Sequence, residues 1–279
     1  MSLVIRSLLF VPGNRPERFE KAINSGADMI CIDLEDAVGL SEKDSARDST
    51  LGFAASNPTP LCVRINPLQN ALGQEDLAAI VAMGKQAPAY VMLAKCQSPQ
   101  QVYEAALALD GCPTKLIGLI ETPAALEQAA AIAAASKRLC ALMFGGADMA
   151  AELGCEFSYE PLLLARSQLV MAAARARVPA IDVPFIDIKD EAGLGAETLR
   201  VKALGFSAKA AIHPKQIAAI HQAFCPTPEQ IEWAEQVMAA AAQANGGVVQ
   251  VAGRMVDAPI IRACERTLAL AALSSKTNN

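Results

Sequence analysis

The sequence predicts an α/β protein folded as a (β/α)8 barrel with a C-terminal helical extension. Short aliphatic runs recur about every 30 residues, and alanine-rich segments compatible with helix separate them. Eight such units fit a barrel of this length, with a doubly wound open sheet as the alternative. An appendage of about 65 residues follows the eighth unit. We therefore expect a barrel over residues 1–215 and an extension over residues 216–279, packed on its own barrel or on a neighbouring subunit.

The predicted strands are short aliphatic runs, of which the seventh and eighth are the weakest. Runs of this kind are typical of strands that are buried on both faces of a parallel sheet. They cover residues 7–11, 29–32, 61–65, 90–93, 116–120, 140–144, 180–183 and 208–212.

Helices are predicted between these strands and in the extension. Within the barrel they cover residues 16–25, 99–109, 124–135, 159–176 and 191–204. In the extension we predict helices at 217–224, 228–243 and 260–273, a turn at 245–247 and a short strand at 248–252. We expect the tail, residues 274–279, to be disordered.

Composition narrows the possible partners and the compartment. With 53% hydrophobic residues, 19% charged residues and a net charge of -5, the chain can bury a large core and has no excess of positive charge. Nucleic acid is therefore not an expected partner. The apolar runs fall far short of the roughly 20 residues that span a bilayer, and Arg6 interrupts the N-terminal one, so we expect no membrane association and no export.

Cysteine and histidine usage points to a reduced, cytoplasmic protein. The eight cysteines are spread singly, without a C-x-x-C pair, and several fall inside apolar runs. Only His213 and His221 are present, which makes a zinc site built from histidine and cysteine improbable. Any metal would be held by carboxylates, a ligand set that favours Mg2+ or Mn2+.

Polar residues follow almost every predicted strand. Because active sites of barrels and open α/β sheets lie at the carboxyl ends of the strands, parallel strands would bring these groups to one rim. Each residue taken alone has an alternative role as a helix cap. The groups are Gly13 and Asn14, Asp33 to Asp36, Arg64 and Asn66, Lys95, Glu121, Asp148, and His213.

Glu121 and Asp148 end neighbouring strands, so their carboxylates are candidates to share one divalent cation. Two protein carboxylates, completed by water or substrate oxygens, are a ligand set that Mg2+ prefers. For Glu121 alone, the alternative is a carboxylate at the start of a helix, because Thr122 and Pro123 can begin one.

Arg64 lies near this pair and offers a planar fork for a substrate carboxylate. Its alternative role is a salt bridge to Glu35 or Asp36, two residues that could also accept hydrogen bonds from metal-bound water. Lys95 could form a Schiff base, but pairing with a carboxylate is favoured. A metal beside an arginine suits chemistry on a 2-oxo acid or its enolate.

Seven motifs in this order resemble the citrate lyase β-subunit family of the HpcH/HpaI aldolase superfamily, which includes malyl-CoA and citramalyl-CoA lyases. The resemblance runs from about residue 6 to residue 273. The motifs are RSLLFVPG at 6–13, DLEDAV at 33–38, VRIN at 63–66, IET at 120–122, GGAD at 145–148, AID at 180–182 and IHPKQ at 212–216.

The resemblance implies a TIM barrel, Mg2+ held by Glu121 and Asp148, and a catalytic, substrate-binding Arg64. It also implies a role for Asp257, in the sequence GRMVDAP at 253–259, as an acid/base that reaches the metal site of a neighbouring subunit. The residues alone would make Asp257 the N-cap of the last helix.

Further substrate contacts are implied for Glu121, Phe10, Lys21 and Ile212. Glu35, Asp36 and Lys95 are expected to support the residues that bind metal and substrate. Glu17 departs from the pattern, since the CoA lyases place a lysine there. The resemblance further implies a homo-oligomer, trimeric or hexameric.

We therefore expect a Mg2+-dependent lyase that cleaves a short 3-hydroxyacyl-CoA, of the malyl or citramalyl kind, to a 2-oxo acid and an acyl-CoA. Three alternatives stay open. They are a citrate lyase β-subunit acting on a citryl thioester of acyl carrier protein, a thioesterase that hydrolyses malyl-CoA, and a binding protein without catalytic activity.

Overall fold

The computed structural model describes residues 3–243 and 249–277 and consists of two compact units, residues 1–220 and 221–279. In the first unit eight parallel strands close into a barrel, each pairing with the next in sequence and β8 with β1. The closed barrel confirms the predicted fold class and excludes the open sheet.

The eight strands lie where the aliphatic runs predict them, and no strand end differs from its run by more than one residue. They are β1 (Ser7–Pro12), β2 (Met29–Asp33), β3 (Leu61–Ile65), β4 (Tyr90–Leu93), β5 (Lys115–Ile120), β6 (Leu139–Phe144), β7 (Ala180–Asp182) and β8 (Ala208–Ala211).

Helices follow the strands and cover the outside of the barrel. Those of the first unit are α1 (Phe19–Ile23), α2 (Lys43–Ser56), α3 (Ala71–Ala82), α4 (Pro99–Ala108), α5 (Pro123–Glu127), α6 (Ala129–Ala134), α7 (Gly146–Leu153), α8 (Leu163–Ala176) and α9 (Glu191–Leu204), while α10 (Gln216–Phe224) spans the boundary between the units.

Side-chain caps explain several helix starts. Asn70, Ser98 and Thr122 each accept a hydrogen bond from a backbone N–H in the first turn of α3, α4 and α5. Proline stands at the beginning of α4 and α5, where its missing N–H costs nothing.

Three predicted helices differ in detail. Residues 16–18 form a 3-10 turn before α1, and Gly26, at φ 81°, turns the chain into β2. The predicted helix 124–135 is two short helices, because Gln128 leaves the helical conformation at φ -96° and ψ 0°. The helix predicted from residue 159 begins at Leu163.

The barrel is a packed core rather than a channel. Alternate strand residues fill its interior, including Leu8, Cys31, Met92, Ile117 and Ile181. The other strand residues pack against the helices, and burying each large aliphatic side chain stabilises the fold by roughly 1.5–3 kcal/mol. All eight cysteines, every one within the described ranges, are free thiols.

A buried charge cluster explains why β7 and β8 are weak strands by sequence. Asp182 accepts from Arg166 Nε at 2.9 Å and from Lys209 Nζ at 2.6 Å, and all three residues are buried. Lys209 Nζ also donates to Glu197 at 2.8 Å. These side chains join β7 and β8 to α8 and α9. The charged residues in the two strands are therefore buried in ion pairs and do not face solvent.

The second unit contains α11 (Pro228–Gln243), a hairpin of β9 (Val249–Val251) and β10 (Arg254–Val256), and α12 (Ala258–Thr277). Ala252 and Gly253, at φ 46° and 77°, make the two-residue turn of the hairpin, whose second strand was not predicted. The predicted turn at 245–247 lies outside the described residues. The predicted disorder of the tail is wrong for residues 274–277, because α12 continues through them.

This unit has a small core of its own. It consists of Ala234, Val237, Val251, Val256 and Cys264. None of the helices within residues 3–243 and 249–277 combines the length and apolar character that a membrane span requires.

Candidate active site

Glu121 is the first residue after β5 and is 3% exposed. Its Oε1 accepts a hydrogen bond of 2.6 Å from the backbone N–H of Lys95 at the end of β4. Gly145 packs against its other side: a Cβ added at Gly145 would lie 2.3 Å from Glu121 Cβ. Only glycine therefore fits at residue 145. A helix does begin at Pro123, as the alternative interpretation predicted, but Thr122 caps it, and the Glu121 carboxylate accepts from Lys95.

Asp148 lies in the first turn of α7, which begins directly after β6 and Gly145. Its carboxyl group lies close enough to that of Glu121 to raise the pKa of Glu121. The structure thus brings together the two carboxylates at the ends of neighbouring strands. Asp148 is partly exposed while Glu121 is buried, so the pair faces solvent on one side only.

Two carboxyl groups so close together are stabilised by a positive charge, either a proton or a metal cation, that lies near both. Burial, the adjacent carboxyl group of Asp148 and the nearby charge of Glu35 raise the pKa of Glu121 to about 8. Near neutral pH Glu121 therefore keeps its proton. A divalent cation could replace that proton and neutralise both carboxylates, so the residues present fit such an ion.

The protein supplies few ligands at this point. In the part of the chain that the structure describes, no group of three or more His, Cys, Asp or Glu residues could hold a metal ion. A cation bound by Glu121 and Asp148 would complete its shell with water or substrate oxygens, which is typical of Mg2+.

Arg64 lies on β3 and is held mainly by Asp33, the last residue of β2. Arg64 Nε and Nη2 each donate to an Asp33 carboxylate oxygen at 2.6 Å, and Nη1 lies 3.0 Å from Glu35 Oε2. The predicted alternative of a salt bridge to Glu35 is therefore present. Burial would lower the pKa of Arg64, but Asp33 and Glu35 raise it further, so the guanidinium stays charged.

Asp33 was predicted to lie at the rim, but sequence analysis assigned it no role. Its oxygens also accept from the backbone N–H groups of Glu35 at 2.9 Å and Ala37 at 3.0 Å. It thereby orients both the arginine and the loop after β2. The signal lies in the strand register, since Asp33 pairs with Arg64 across β2 and β3.

Lys95 confirms the favoured pairing with a carboxylate. Its Nζ lies 3.1 Å from Glu35 and 3.9 Å from Asp36. Burial would lower the pKa of Lys95, but the hydrogen bond to Glu35 and the charges of Glu35, Asp36 and Glu121 raise it overall. A Schiff-base lysine needs the opposite shift. Lys95 also has a positive φ of 46°, which orients its N–H toward Glu121.

Glu35 is buried between these cations. Burial raises its pKa despite the opposing effect of Arg64, and Asp36 raises it further. Each of its carboxylate oxygens lies beside one cation, Oε2 at 3.0 Å from Arg64 Nη1 and Oε1 at 3.1 Å from Lys95 Nζ. A cavity of about 350 Å3 lies beside it, lined also by Asp36, Asn66 and Lys95.

Lys43 holds the backbone of the loop after β2, which carries Glu35. It is buried, and its Nζ donates to the carbonyl oxygens of Leu34 at 2.7 Å and Glu35 at 2.6 Å. Burial lowers the pKa of Lys43, against the raising effect of Asp33 and Glu35. The backbone of the loop is thus fixed by a lysine that sequence analysis did not identify.

The remaining predicted residues lie in several places. The ring of Phe10, on β1, lies 5.1 Å from Arg64 Cζ. Ile212 directly follows β8 and is 43% exposed, whereas Lys21 is exposed on α1. Asp257 belongs to the second unit, where it precedes α12 and its carbonyl accepts from Ile261 N. This is the N-cap position that the residues alone predict.

The fold and this carboxylate site define an enzyme of the TIM-barrel carbon–carbon lyase class, and a family model described as C-C bond lyase of the TIM-barrel fold matches residues 168–273. More specifically, the chain belongs to the HpcH/HpaI aldolase/citrate lyase family, whose model matches residues 6–214. The resemblance found in the sequence is therefore confirmed.

Named relatives cover almost the whole chain. Citrate lyase subunit beta of Haemophilus influenzae is 37% identical over 92% of this chain and 93% of its own length. The mitochondrial citramalyl-CoA lyase of Homo sapiens is 33% identical over 95% of this chain and 85% of its own length.

Solved structures show the same similarity. Protein CitE from Mycobacterium tuberculosis, in complex with magnesium, acetoacetate and coenzyme A, is 34% identical with a TM-score of 0.78, covering 98% of this chain and all of that one. RipC from Yersinia pestis is 42% identical with a TM-score of 0.73, covering 81% of this chain and 98% of that one.

Proposed function

We propose that the protein reversibly cleaves a carbon–carbon bond in a short 3-hydroxyacyl-CoA of the malyl or citramalyl kind, releasing a 2-oxo acid and an acyl-CoA. The observation that carries the proposal is the close pair of carboxyl groups of Glu121 and Asp148 on the same rim as Arg64. The similarity to citramalyl-CoA lyase and to a structure containing coenzyme A supports a thioester substrate.

Glu121 and Asp148 would hold Mg2+, or Mn2+ in its place. Structures of relatives with magnesium support this assignment. The bound ion supplies Lewis-acid stabilisation to the hydroxyl and carboxylate oxygens of the substrate. Lys95 contributes by holding Glu121 through its backbone N–H and Glu35 through its ammonium group.

Arg64 would bind the oxygens on which negative charge develops. Because Asp33 occupies Nε and Nη2, the substrate would approach Nη1, beside Glu35. The Phe10 ring stacks near the guanidinium and shields one side of it from water. Glu35 and Asp36 would accept hydrogen bonds from water around the ion.

Bond cleavage requires two proton movements. The substrate's hydroxyl proton would pass to the carboxylate of Asp257 as the carbonyl of the 2-oxo acid forms and the carbon–carbon bond breaks, and the bonding electrons remain on the thioester as an enolate. Asp257, contributed by a neighbouring subunit, would return a proton to the enolate carbon and give the acyl-CoA. Lys21 and Ile212 would contact the thioester. Because Asp257 would serve the site of another subunit, we propose a homo-oligomer, and the family resemblance favours a trimer or hexamer.

A citrate lyase β-subunit acting on a citryl thioester of acyl carrier protein is the second candidate, favoured by the identity to citrate lyase subunit beta. The sequence 253–259, which contains Asp257, favours the CoA lyases. A thioesterase would use the same carboxylates to activate water.

Product analysis tests the proposal. Purified protein with Mg2+ is offered malyl-CoA, citramalyl-CoA, 3-hydroxy-3-methylglutaryl-CoA and citryl thioesters, and 2-oxo acid release is measured. We expect glyoxylate from malyl-CoA or pyruvate from citramalyl-CoA. Release of malate would identify a thioesterase, and oxaloacetate from a citryl carrier thioester alone would identify a citrate lyase subunit.

A further inference from the structure

Gln216, at the start of α10, uses both ends of its side-chain amide on backbone groups outside its own helix. The residue is 2% exposed. Its Oε1 accepts from the N–H groups of Ile212 at 2.9 Å and His213 at 3.2 Å, and its Nε2 donates to the carbonyl of Phe185 at 2.7 Å. Two donors on one end and an acceptor on the other fix the orientation of the amide.

These hydrogen bonds join two segments that lie apart in sequence. Phe185 belongs to the loop after β7, whereas Ile212 and His213 follow β8 directly. Both loops begin at the carboxyl ends of their strands, where the candidate site lies. One buried amide therefore sets the spacing between two neighbouring parts of the rim.

Ile212 is the residue that this clamp places. In the β1–β8 register Leu9 pairs with Ala211; Ile212 follows Ala211 in the chain, and Phe10, whose ring lies near Arg64, follows Leu9. Ile212 is 43% exposed although β8 is fully buried. Because packing does not fix the exposed side chain of Ile212, its position at this rim depends on its backbone.

We infer that Gln216 is a positioning residue that holds Ile212 against the thioester substrate. The inference rests on the proposed function, in which Ile212 contacts that thioester. Gln216 itself does not touch reacting atoms in this role. Its effect is on substrate affinity, transmitted through the backbone of residues 212 and 213.

Two near-isosteric variants separate the hydrogen bonds. Gln216→Met removes all three and keeps the shape. Gln216→Glu keeps the acceptor for Ile212 and His213 but sets an oxygen against the Phe185 carbonyl. We expect Gln216→Met to raise the KM for the thioester about tenfold, with kcat changed less than about threefold. Gln216→Glu should give a smaller rise. Gln222→Met, an exposed position on the same helix, is the matched control.

A double-mutant cycle with Ile212→Ala tests the route of the effect. If Gln216 acts through Ile212, the KM rise caused by Gln216→Met should largely disappear in the Ile212→Ala background. A merely structural role would lower the melting temperature and add its full effect in either background. Should Gln216→Met fail to fold, the same cycle is run with Gln216→Glu.

Hydrogen exchange and calorimetry complete the experiment. Faster exchange of the amides of Ile212 and His213 in Gln216→Met, together with weaker acetyl-CoA binding, supports the inference. Faster exchange with unchanged KM and unchanged acetyl-CoA affinity overturns it. If the wild type cleaves no thioester, the proposed function fails, and the inference is decided by acetyl-CoA affinity alone. A wild type that neither cleaves nor binds thioester overturns both.

Discussion

Asp33 binds Arg64 through both carboxylate oxygens, at 2.6 Å to Nε and 2.6 Å to Nη2. Both residues are largely buried, and the same oxygens accept two backbone N–H groups. Such a fully used carboxylate leaves Arg64 little freedom to move. The arginine therefore presents one edge, Nη1, to Glu35 and to a ligand.

Asp33→Asn tests this relationship. The variant keeps the shape but removes the charge and one pair of acceptor sites, leaving Arg64 without its main counterion. Breaking a buried pair in this way costs about 3–5 kcal/mol of unfolding free energy. We expect a large drop in urea midpoint and in kcat/KM. Asp36→Asn is the control, because Asp36 is 57% exposed and lies 3.9 Å from Arg64, and it should change stability by less than about 1 kcal/mol.

Gly145→Ala should damage the site without destroying the fold. The added methyl group would overlap Glu121 Cβ at 2.3 Å and lie 2.9 Å from its Oε2, so the carboxylate must move. We expect at least about a tenfold loss of Mg2+ affinity by titration calorimetry, because ligand displacement of this kind is costly. Gly195→Ala, in α9 with open space around it, should leave Mg2+ affinity unchanged and stabilise the helix by about 0.5–1 kcal/mol. Equal Mg2+ affinity in both variants would contradict the assignment of Glu121.

The pH dependence of Mg2+ binding follows from the pKa of Glu121. Because its pKa is raised from 4.5 to about 8, the folded, metal-free protein keeps a proton that the unfolded chain has lost. The free energy of unfolding of the metal-free protein should therefore fall as the pH rises from about 4.5 to about 8. Mg2+ must displace that proton, so its affinity should rise up to about tenfold per pH unit toward pH 8 and level off above. Calorimetry in buffers of different ionisation enthalpy would detect the released proton, and a flat profile would contradict the assignment.

Asp257→Asn should reduce cleavage by roughly 10²–10⁴-fold, the usual contribution of a general acid, with Mg2+ affinity unchanged. If the residue serves a neighbouring subunit, co-expressing Asp257→Asn with Glu121→Gln should form mixed oligomers that contain some intact sites and recover activity. Co-expression of Glu121→Gln with Asp148→Asn is the control, since both changes affect the same barrel. Full activity of Asp257→Asn alone would remove the residue from the mechanism.

The barrel strands could be predicted because each combines a short aliphatic run with polar residues at its end, a local pattern. Glu121 and Asp148 could be predicted to meet for the same reason, since their strands are neighbours in sequence and in space. What could not be predicted depends on longer-range geometry. The role of Asp33 is identified only by its register with Arg64, and the roles of Lys43 and Gln216 only by the backbone carbonyl and N–H groups that fold toward them.

The second strand of the β9–β10 hairpin was missed for a different reason. Its turn uses Ala252 at a positive φ, a conformation that alanine rarely adopts and that composition does not indicate. The weak signal of β7 and β8 has a physical origin as well, because Asp182 and Lys209 are buried only as parts of one ion cluster.

The shared cation site of Glu121 and Asp148 is the central claim, and direct titration of Mg2+ into the purified protein tests it most directly. Wild type, Glu121→Gln and Asp148→Asn are compared by calorimetry, with 2-oxo acid release measured on the same samples. The account predicts one Mg2+ per chain in the wild type, and loss of both binding and turnover in each variant. Unchanged Mg2+ affinity in either variant, or full turnover after exhaustive EDTA dialysis, would contradict it.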